Sequence, residues 1–465
     1  MSGTLTTGTL VVGGGITGLA AAHRLAEAGA PFLLVEALPD LGGKIATERV
    51  DGFVVEGGPD CFLAAKPAGI ALVRALGLEG RLRNTDPAHR RTYVRRAGRL
   101  YQLPEGITGL VPSRVGPLLR TRVLSLPGRL RAGCEALLPG RGAGEDESIA
   151  QFVTRRFGVE AYDWLVEPLL SGIYAGDGEA LSLAATFPQL PKLEREQGSI
   201  LRAMLRRRDI APGGAPMGFV TPAGGLGEIV EALAARLPGS AVRRGTAVTG
   251  IARRAATYRA TLADGTTIVA DRLLLATPAY VSAGLLEALD GDLARELDAI
   301  PFVSTATVSL AFPSSAVPRP LDGYGYVSPR AEGGPVVACT WTSNKFPDRV
   351  PAGSVLVRFF IGRSGREAAV RAPDETLVGL ATAELAQLFG VTLTPTLVRV
   401  FRWHRSMPQY VLGHTARLER IARLAAGHPG LMLAGASYRG VGIPDCIASG
   451  WAAAHAALGA IGAAA

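Results

Sequence analysis

GTLVVGGGITG, residues 8–18, joins a run of aliphatic residues to three glycines, and ITGLAAAHRLAEA (16–28) carries it on in small residues. The pattern predicts a buried strand, a tight turn and a helix that stops at Gly29. Gly13, Gly15 and Gly18 fit GxGxxG directly after the strand, with Gly14, Ile16 and Thr17 between them. The first glycine permits the turn, the second lets a pyrophosphate approach the backbone, and the third lets the helix pack closely on the strand. The phosphates then lie at the helix N-terminus, where free N–H groups and the helix dipole favour negative charge. PFLLVE (31–36) reads as the next strand. Its last residue, Glu36, stands about twenty residues on, where an acid can accept hydrogen bonds from a ribose diol.

Two further glycine turns follow: Leu41-Gly42-Gly43-Lys44 and Glu56-Gly57-Gly58-Pro59-Asp60. A nicotinamide domain does not need them, whereas a flavin extends further across a protein and does. At the far end LMLAG runs into GASYRGVGIPDCIASGWAAAHAA (435–457), again strand, glycine-rich turn and helix. Between them, TPAGGLGEIVEALAARL (221–237), AVTGIARR (247–254) and YRATLADGTTIVADRLLLAT (258–277) read as a helix and strands, with a hairpin turn at 263–266. The α/β pieces at the start, middle and end predict one discontinuous α/β, Rossmann-like domain formed by residues 1–67, 216–290 and 421–465. A mostly helical insertion (68–215) and a mixed-sheet substrate domain (291–420) interrupt it.

At 465 residues the chain is too long for a single core. No run of eighteen uncharged apolar residues occurs, so no transmembrane helix is expected. No signal peptide is expected, since the first strand begins almost at once and lacks a charged n-region and a cleavage site. A cytoplasmic protein is expected, with peripheral membrane contact as an alternative. Cys61, Cys134, Cys339 and Cys446 lie far apart without a CxxC pair, which predicts reduced, buried thiols and no metal site. The net charge is +9. Between Arg90 and Arg141 eleven arginines face two acids, Glu105 and Glu135. Such a segment is a solvated basic surface, a site for an anionic substrate, or a contact with an anionic membrane. Nucleic acid is disfavoured, because aromatic residues are few and no reading motif is present.

The middle of the chain is more specific. GIYAGDGEALSLAATFPQLPKLEREQGSI (172–200) resembles a signature of the oxygen-dependent porphyrinogen oxidases. GPDCFL (58–63), WTSNKFPDR (341–349) and FRWHRSMPQYVLGH (401–414) agree with it, in the same order along the chain. That family shares a flavoprotein fold with amine oxidases and carotenoid desaturases. The resemblance implies FAD, with both chain ends meeting on one cofactor. It assigns Gly13 to Gly18, Glu36, Ala37, Gly43, Lys44, Gly57, Gly58, Pro59 and Asp60 to the cofactor. Val248 would meet the adenine, Trp403 the flavin, and Val441, Gly442 and Ile443 the ribityl chain and ring. Thr92, Leu169, Gly172, Ile173, Tyr324, Gly325 and Val327 match positions beside the substrate in relatives.

The implied reaction removes six electrons from a porphyrinogen in three flavin cycles. Oxygen is the acceptor and hydrogen peroxide the by-product. Hydride passes to the flavin N5, so no catalytic side chain is expected. His404 and His414 lie near the expected pocket, and packing or hydrogen bonding is favoured over a general-base role for both. Relatives acting on protoporphyrinogen carry an arginine at the position of Thr92, and Arg91 should point to the other face of its strand. Together with PEGITGLVPSR (104–114), this favours the four-carboxylate coproporphyrinogen III over protoporphyrinogen IX. A ferrochelatase is a plausible partner. Two rival readings stay open: a flavin amine oxidase or carotenoid desaturase on the same fold, and a non-catalytic porphyrin carrier.

Overall fold

The computed structural model describes residues 3–104, 107–108, 111–112, 115–140, 146–207 and 218–462. Strand β1 (Thr4–Val12) is buried from Leu10 onward, as its aliphatic run requires. Helix α1 (Ile16–Glu27) follows, and β2 (Phe32–Val35) is wholly buried. β1 pairs in parallel with β2 on one side and with Thr267–Leu275 on the other. Val242–Arg243 extends the sheet beyond β2. The antiparallel strands Thr257–Leu262 and Val248–Arg254 extend it beyond Thr267–Leu275, which also pairs in parallel with Leu431–Leu433. Pieces distant in sequence thus complete one sheet. The hairpin at 263–266 closes with Gly265 at φ +83° and an Asp264 carboxylate accepting from the Thr266 N–H at 2.9 Å.

Helix α1 is buried on nearly every side, and its middle turn is built from small residues, Ala20, Ala21 and Ala22, all fully buried. The reason is the C-terminal helix Ile443–Gly462, which packs across it. A Cβ at Gly450 would fall 2.2 Å from the Thr17 carbonyl oxygen, so only glycine allows this approach.

The second sheet runs Leu397–Pro408, Phe302–Pro313, Ser354–Ile361, Val336–Trp341, Gly325–Val327, Thr92–Arg96 and Arg99–Gln102. Its last two strands come from the stretch around Thr92, which the sequence predicts as a strand within the mostly helical segment. Thr92–Arg96 lies parallel to Gly325–Val327, with Thr92 opposite Gly325. The segment also holds the short strands Leu82–Asn84, Ile107–Thr108 and Val111–Pro112, and its helices pack a core of their own, including Phe152, Leu165 and Leu170, against Val327 and Ala338 of the sheet. At its centre Arg156 and Glu135 form a fully buried ion pair, which the Ser199 hydroxyl and the Ile200 and Leu201 N–H groups complete. The chemistry is that of a charge that tolerates burial only when every acceptor is filled. Most of residues 104–114 lies outside the described residues.

Among the described residues no helix is long and apolar enough to cross a membrane, and no cluster of three or more metal-ligating side chains occurs. The cysteines are unpaired, but Cys134 is exposed, contrary to the expectation of buried thiols. It lies on the outside of the helical segment, at the end of Leu126–Gly133.

Candidate active site

Gly13 adopts φ +105°, and a Cβ on Gly18 would fall 1.9 Å from the Gly13 carbonyl oxygen. Strand end and helix start are therefore in backbone contact. A Cβ on Gly15, by contrast, would meet nothing within 4 Å. Here the glycine faces open space at the beginning of α1. The helix has no side-chain cap and no acid in its first turn. Unfilled N–H groups at an open helix start are a ready anion site. Glu36 follows β2 and accepts from the Gly14 N–H at 2.6 Å and the Leu38 N–H at 2.8 Å. The carboxylate is thereby aimed from the second strand across the first glycine turn. Ala37 is exposed beside it. The Glu36 carbonyl accepts from the Thr246 N–H at 3.1 Å, which sets the start of the Val248 strand alongside.

The other glycine turns interlock with the first. The Gly42 N–H donates to the Gly14 carbonyl at 2.9 Å, and a Cβ on Gly43 would lie 3.2 Å from the Gly15 Cα. A Cβ on Gly58 would fall 1.9 Å from the Lys44 carbonyl oxygen. Trp403 reaches this turn from the second sheet, its indole N–H donating to the Gly57 carbonyl at 2.8 Å. From the other end of the chain, Gly435 takes φ +122° beside Thr17, and its N–H donates to the Ser449 hydroxyl at 3.0 Å. Val441 packs with Leu169 and Val327 on the helical core, and Ile443 packs on the core beneath α1. Gly442 joins the two, but its N–H already donates to the Asp445 carboxylate at 3.2 Å, which Lys66 holds at 2.5 Å.

Two side chains in these turns differ in their availability. Burial pushes the Lys44 ammonium below its usual range, the Cys446 thiol offsets this only in part, and among the described residues no carboxylate pairs with it. A cation left so fits a site that receives an anion. Asp60, in contrast, is engaged by protein. Lys345 bonds its carboxylate at 2.9 and 3.1 Å, and Arg358 lies 3.8 Å away. Burial opposes its ionisation, but these two cations hold the carboxyl far below its usual range. The same environment pushes the neighbouring Cys61 thiol up to about 12, burial being the larger cause and the Asp60 charge the next. Pro59 sits half-buried between these groups.

The substrate candidates meet elsewhere on this surface. Helix Glu167–Tyr174 crosses the Gly325–Val327 strand, and a Cβ on Gly172 would lie 3.6 Å from Val327 Cγ1. Gly172 and Ile173 are exposed and Leu169 is half-buried, so the helix presents an apolar edge to an open space. Gly325 takes φ +135°, and a Cβ there would fall 2.0 Å from the Cys339 carbonyl oxygen. Tyr324 is half-buried and donates its hydroxyl to the Asp86 carbonyl at 2.6 Å. Thr92 is half-buried next to it in register. Arg91 pairs with Asp322, which also accepts from the Tyr93 hydroxyl at 3.2 Å. No cation occupies the Thr92 position.

The two histidines are not site groups in this arrangement. His404 is exposed on the strand Leu397–Pro408, next to Trp403. His414 is buried, stacked 4.3 Å from Tyr410, with Nε2 at 3.0 Å from the Tyr438 carbonyl, and burial lowers its pKa. Sequence reasoning missed Glu167 and Arg363, a buried ion pair at the start of the helix Glu167–Tyr174. Neither lies in a local motif, and only the fold brings them together.

The open face at Gly15, the uncapped start of α1, the carboxylate of Glu36 and the unpaired cation of Lys44 fit a dinucleotide. A family model described as flavin containing amine oxidoreductase matches residues 16–458. The chain belongs to this family. It is an FAD-dependent oxidoreductase of the flavin containing amine oxidoreductase fold. Coproporphyrinogen III oxidase of Bacillus subtilis (strain 168) is 37% identical over 461 residues, covering 97% of each chain. Protoporphyrinogen oxidase 1, chloroplastic, of Arabidopsis thaliana is 30% identical, covering 96% of this chain and 86% of the relative. A solved structure from Exiguobacterium sp. 255-15, assigned as a protoporphyrinogen oxidase, superposes with a TM-score of 0.87 at 32% identity and covers 99% of both chains. The chain's similarity to porphyrinogen oxidases thus runs along its whole length.

Proposed function

We propose that this flavoprotein oxidises coproporphyrinogen III to coproporphyrin III in haem biosynthesis, with oxygen as acceptor and hydrogen peroxide as by-product. The observation that carries the reading is the 37% identity to a coproporphyrinogen III oxidase over 97% of both chains. The local chemistry supports it. Thr92 brings no cation to the position where relatives acting on protoporphyrinogen carry arginine, and Arg91 is held by Asp322. A second reading, protoporphyrinogen IX by the same reaction, draws on the 30% identity to the Arabidopsis thaliana enzyme.

FAD, when bound, supplies the hydride acceptor. The rest is positioning by the chain. Gly13 to Gly18 and the start of α1 hold the pyrophosphate, and Glu36 with Ala37 takes the ribose, with Val248 at the adenine. Gly43, Lys44, and Gly57 to Asp60 line the path toward the flavin, and Lys44 offers its unpaired ammonium to the anionic cofactor. Trp403, locked to the Gly57 carbonyl, presents an indole edge beside the ring. Val441, Gly442 and Ile443 close the far side. Leu169, Gly172, Ile173, Tyr324, Gly325, Val327 and Thr92 form the wall against which the macrocycle lies, and its apolar edge excludes water.

The division of labour follows: residues 1–67, 216–290 and 421–465 hold the cofactor, and the segments 68–215 and 291–420 hold the substrate. The enzyme works in the cytoplasm and hands its product toward a ferrochelatase. Exposed Leu126, Leu130 and Leu137 beside Arg120 and Arg122 suit contact with an anionic membrane surface. Anaerobic mixing tests the reaction: coproporphyrinogen bleaches the oxidised flavin absorbance, and a diamine leaves it unchanged. Bleaching by the diamine alone would return the chain to the amine oxidases.

A further inference from the structure

Helix Glu167–Tyr174 carries three of the substrate-facing residues, and its two ends are held by one short loop. That loop follows the strand Ser354–Ile361. Gly362 turns it with φ +96°, where a Cβ would fall 2.5 Å from Val370 Cγ2. The next residue, Arg363, points to the helix start. Its guanidinium lies 3.4 Å from Glu167 Oε1, and it also donates to the Ser328 carbonyl at 2.9 Å. The residue after that reaches the helix end, the Ser364 N–H donating to the Ala175 carbonyl at 2.7 Å.

Glu167 is 4% exposed and Arg363 is 1% exposed. The Glu167 carboxylate is filled by its own helix, by the Arg330 backbone and by two cations, Arg363 and the Arg330 guanidinium, whose Nε lies 3.6 Å from Oε1. It accepts from the Ser171 hydroxyl at 2.6 Å within its own helix, from the Arg330 N–H at 2.9 Å, and from Arg363. Arg330 and Ser328 both belong to the segment that leaves the Gly325–Val327 strand. The pair therefore ties the helix to that strand, where Gly172 meets Val327. Such a pair is costly to bury and need not add stability, so its charge is best explained by the single geometry it enforces. The helix is preceded by a π-helical turn, Tyr162–Val166, whose Tyr162, Leu165 and Val166 are buried in the same core. At the far end Ala175 takes φ +49°, and the Gln409 side-chain amide donates to the Tyr174 carbonyl at 2.9 Å.

We infer that Glu167 and Arg363 are positioning residues that set the distance between the substrate helix and the Gly325–Val327 strand, and so the fit of the macrocycle between them. The inference rests on the porphyrinogen reading for the identity of that substrate. Neither residue touches the reacting atoms. Glu167→Gln keeps the shape and removes the charge, and Arg363→Lys keeps the charge and removes the fork that reaches Ser328 and Glu167 together.

The test uses the FAD-loaded enzyme and two readouts. Amide hydrogen exchange across residues 167–175 should speed up by about tenfold in each variant, with exchange in α1 unchanged. The KM for coproporphyrinogen should rise by about tenfold while kcat stays within about twofold and the flavin absorbance spectrum is unaltered. Unchanged exchange across 167–175 overturns the inference, and so does a lowered melting temperature with KM unchanged. If the parent enzyme oxidises neither porphyrinogen, the substrate reading fails on that result. The clamp is then judged by exchange alone, which needs no turnover.

Discussion

Gly18 and Thr92 illustrate two kinds of legibility at the scale of single residues. Gly18 stands in a local pattern, and the 1.9 Å that would separate its Cβ from the Gly13 carbonyl oxygen shows why the pattern admits nothing larger. Thr92 matters only through a strand that pairs with residues far along the chain. Arginine at 92 should restore a carboxylate partner on the substrate wall. Thr92→Arg is expected to shift the ratio of kcat/KM for protoporphyrinogen over coproporphyrinogen upward by about tenfold, equivalent to about 1.4 kcal/mol. An unchanged ratio would remove Thr92 from the specificity argument. Asp60 was readable as part of a glycine turn, but not as the buried partner of Lys345, because the lysine arrives on the short helix Thr342–Lys345, far along the chain.

His23 and His414 give a pH dependence. Burial keeps both below the ordinary value of 6.5 in the folded protein, with Glu27 partly offsetting the shift at His23. The unfolded chain therefore takes up protons first as pH falls. Stability from these groups is complete above about pH 6.5 and declines as pH drops below it, because protonation then favours the unfolded state. Urea midpoints taken at neutral pH and about one and a half units lower should fall, and His414→Gln should shrink that fall. A variant with the same pH slope as the parent would show that His414 does not contribute.

Elements show where sequence periodicity sufficed and where it did not. The strands of both sheets were legible as apolar runs, and α1 was legible from its small residues and terminal glycine. The strands Thr92–Arg96 and Arg99–Gln102 were legible as extended inside a segment whose overall character is helical, but not as members of the second sheet. Their pairing with Gly325–Val327 depends on the chain returning to that edge, which no local pattern encodes. The crossing of α1 and the C-terminal helix was also hidden. It rests on Gly450, which looks in sequence like any residue of an alanine-rich helix. Gly450→Ala should destabilise the protein by about 1–3 kcal/mol by forcing two helix backbones apart. The loss should appear as a lower melting temperature together with weaker FAD retention, since Thr17 lies at the point of contact. Loss of stability with full FAD retention would uncouple this crossing from the cofactor turn.

Over the whole molecule, the two glycine turns at opposite ends of the chain come together because one sheet takes strands from the start, middle and end. Gly13 and Gly435 close on the same helix start, as an FAD site built from both termini requires. Arg156 with Glu135 and Arg363 with Glu167 form buried ion pairs within and beside the helical segment, and neither could be read from spacing. The direct test of the account is porphyrin fluorescence in air with the purified flavoprotein, given each porphyrinogen separately and corrected for spontaneous oxidation. The account predicts a kcat/KM for coproporphyrinogen at least about tenfold above that for protoporphyrinogen. A higher kcat/KM for protoporphyrinogen would contradict the substrate proposed here, and no turnover of either above the blank would contradict porphyrinogen oxidation itself.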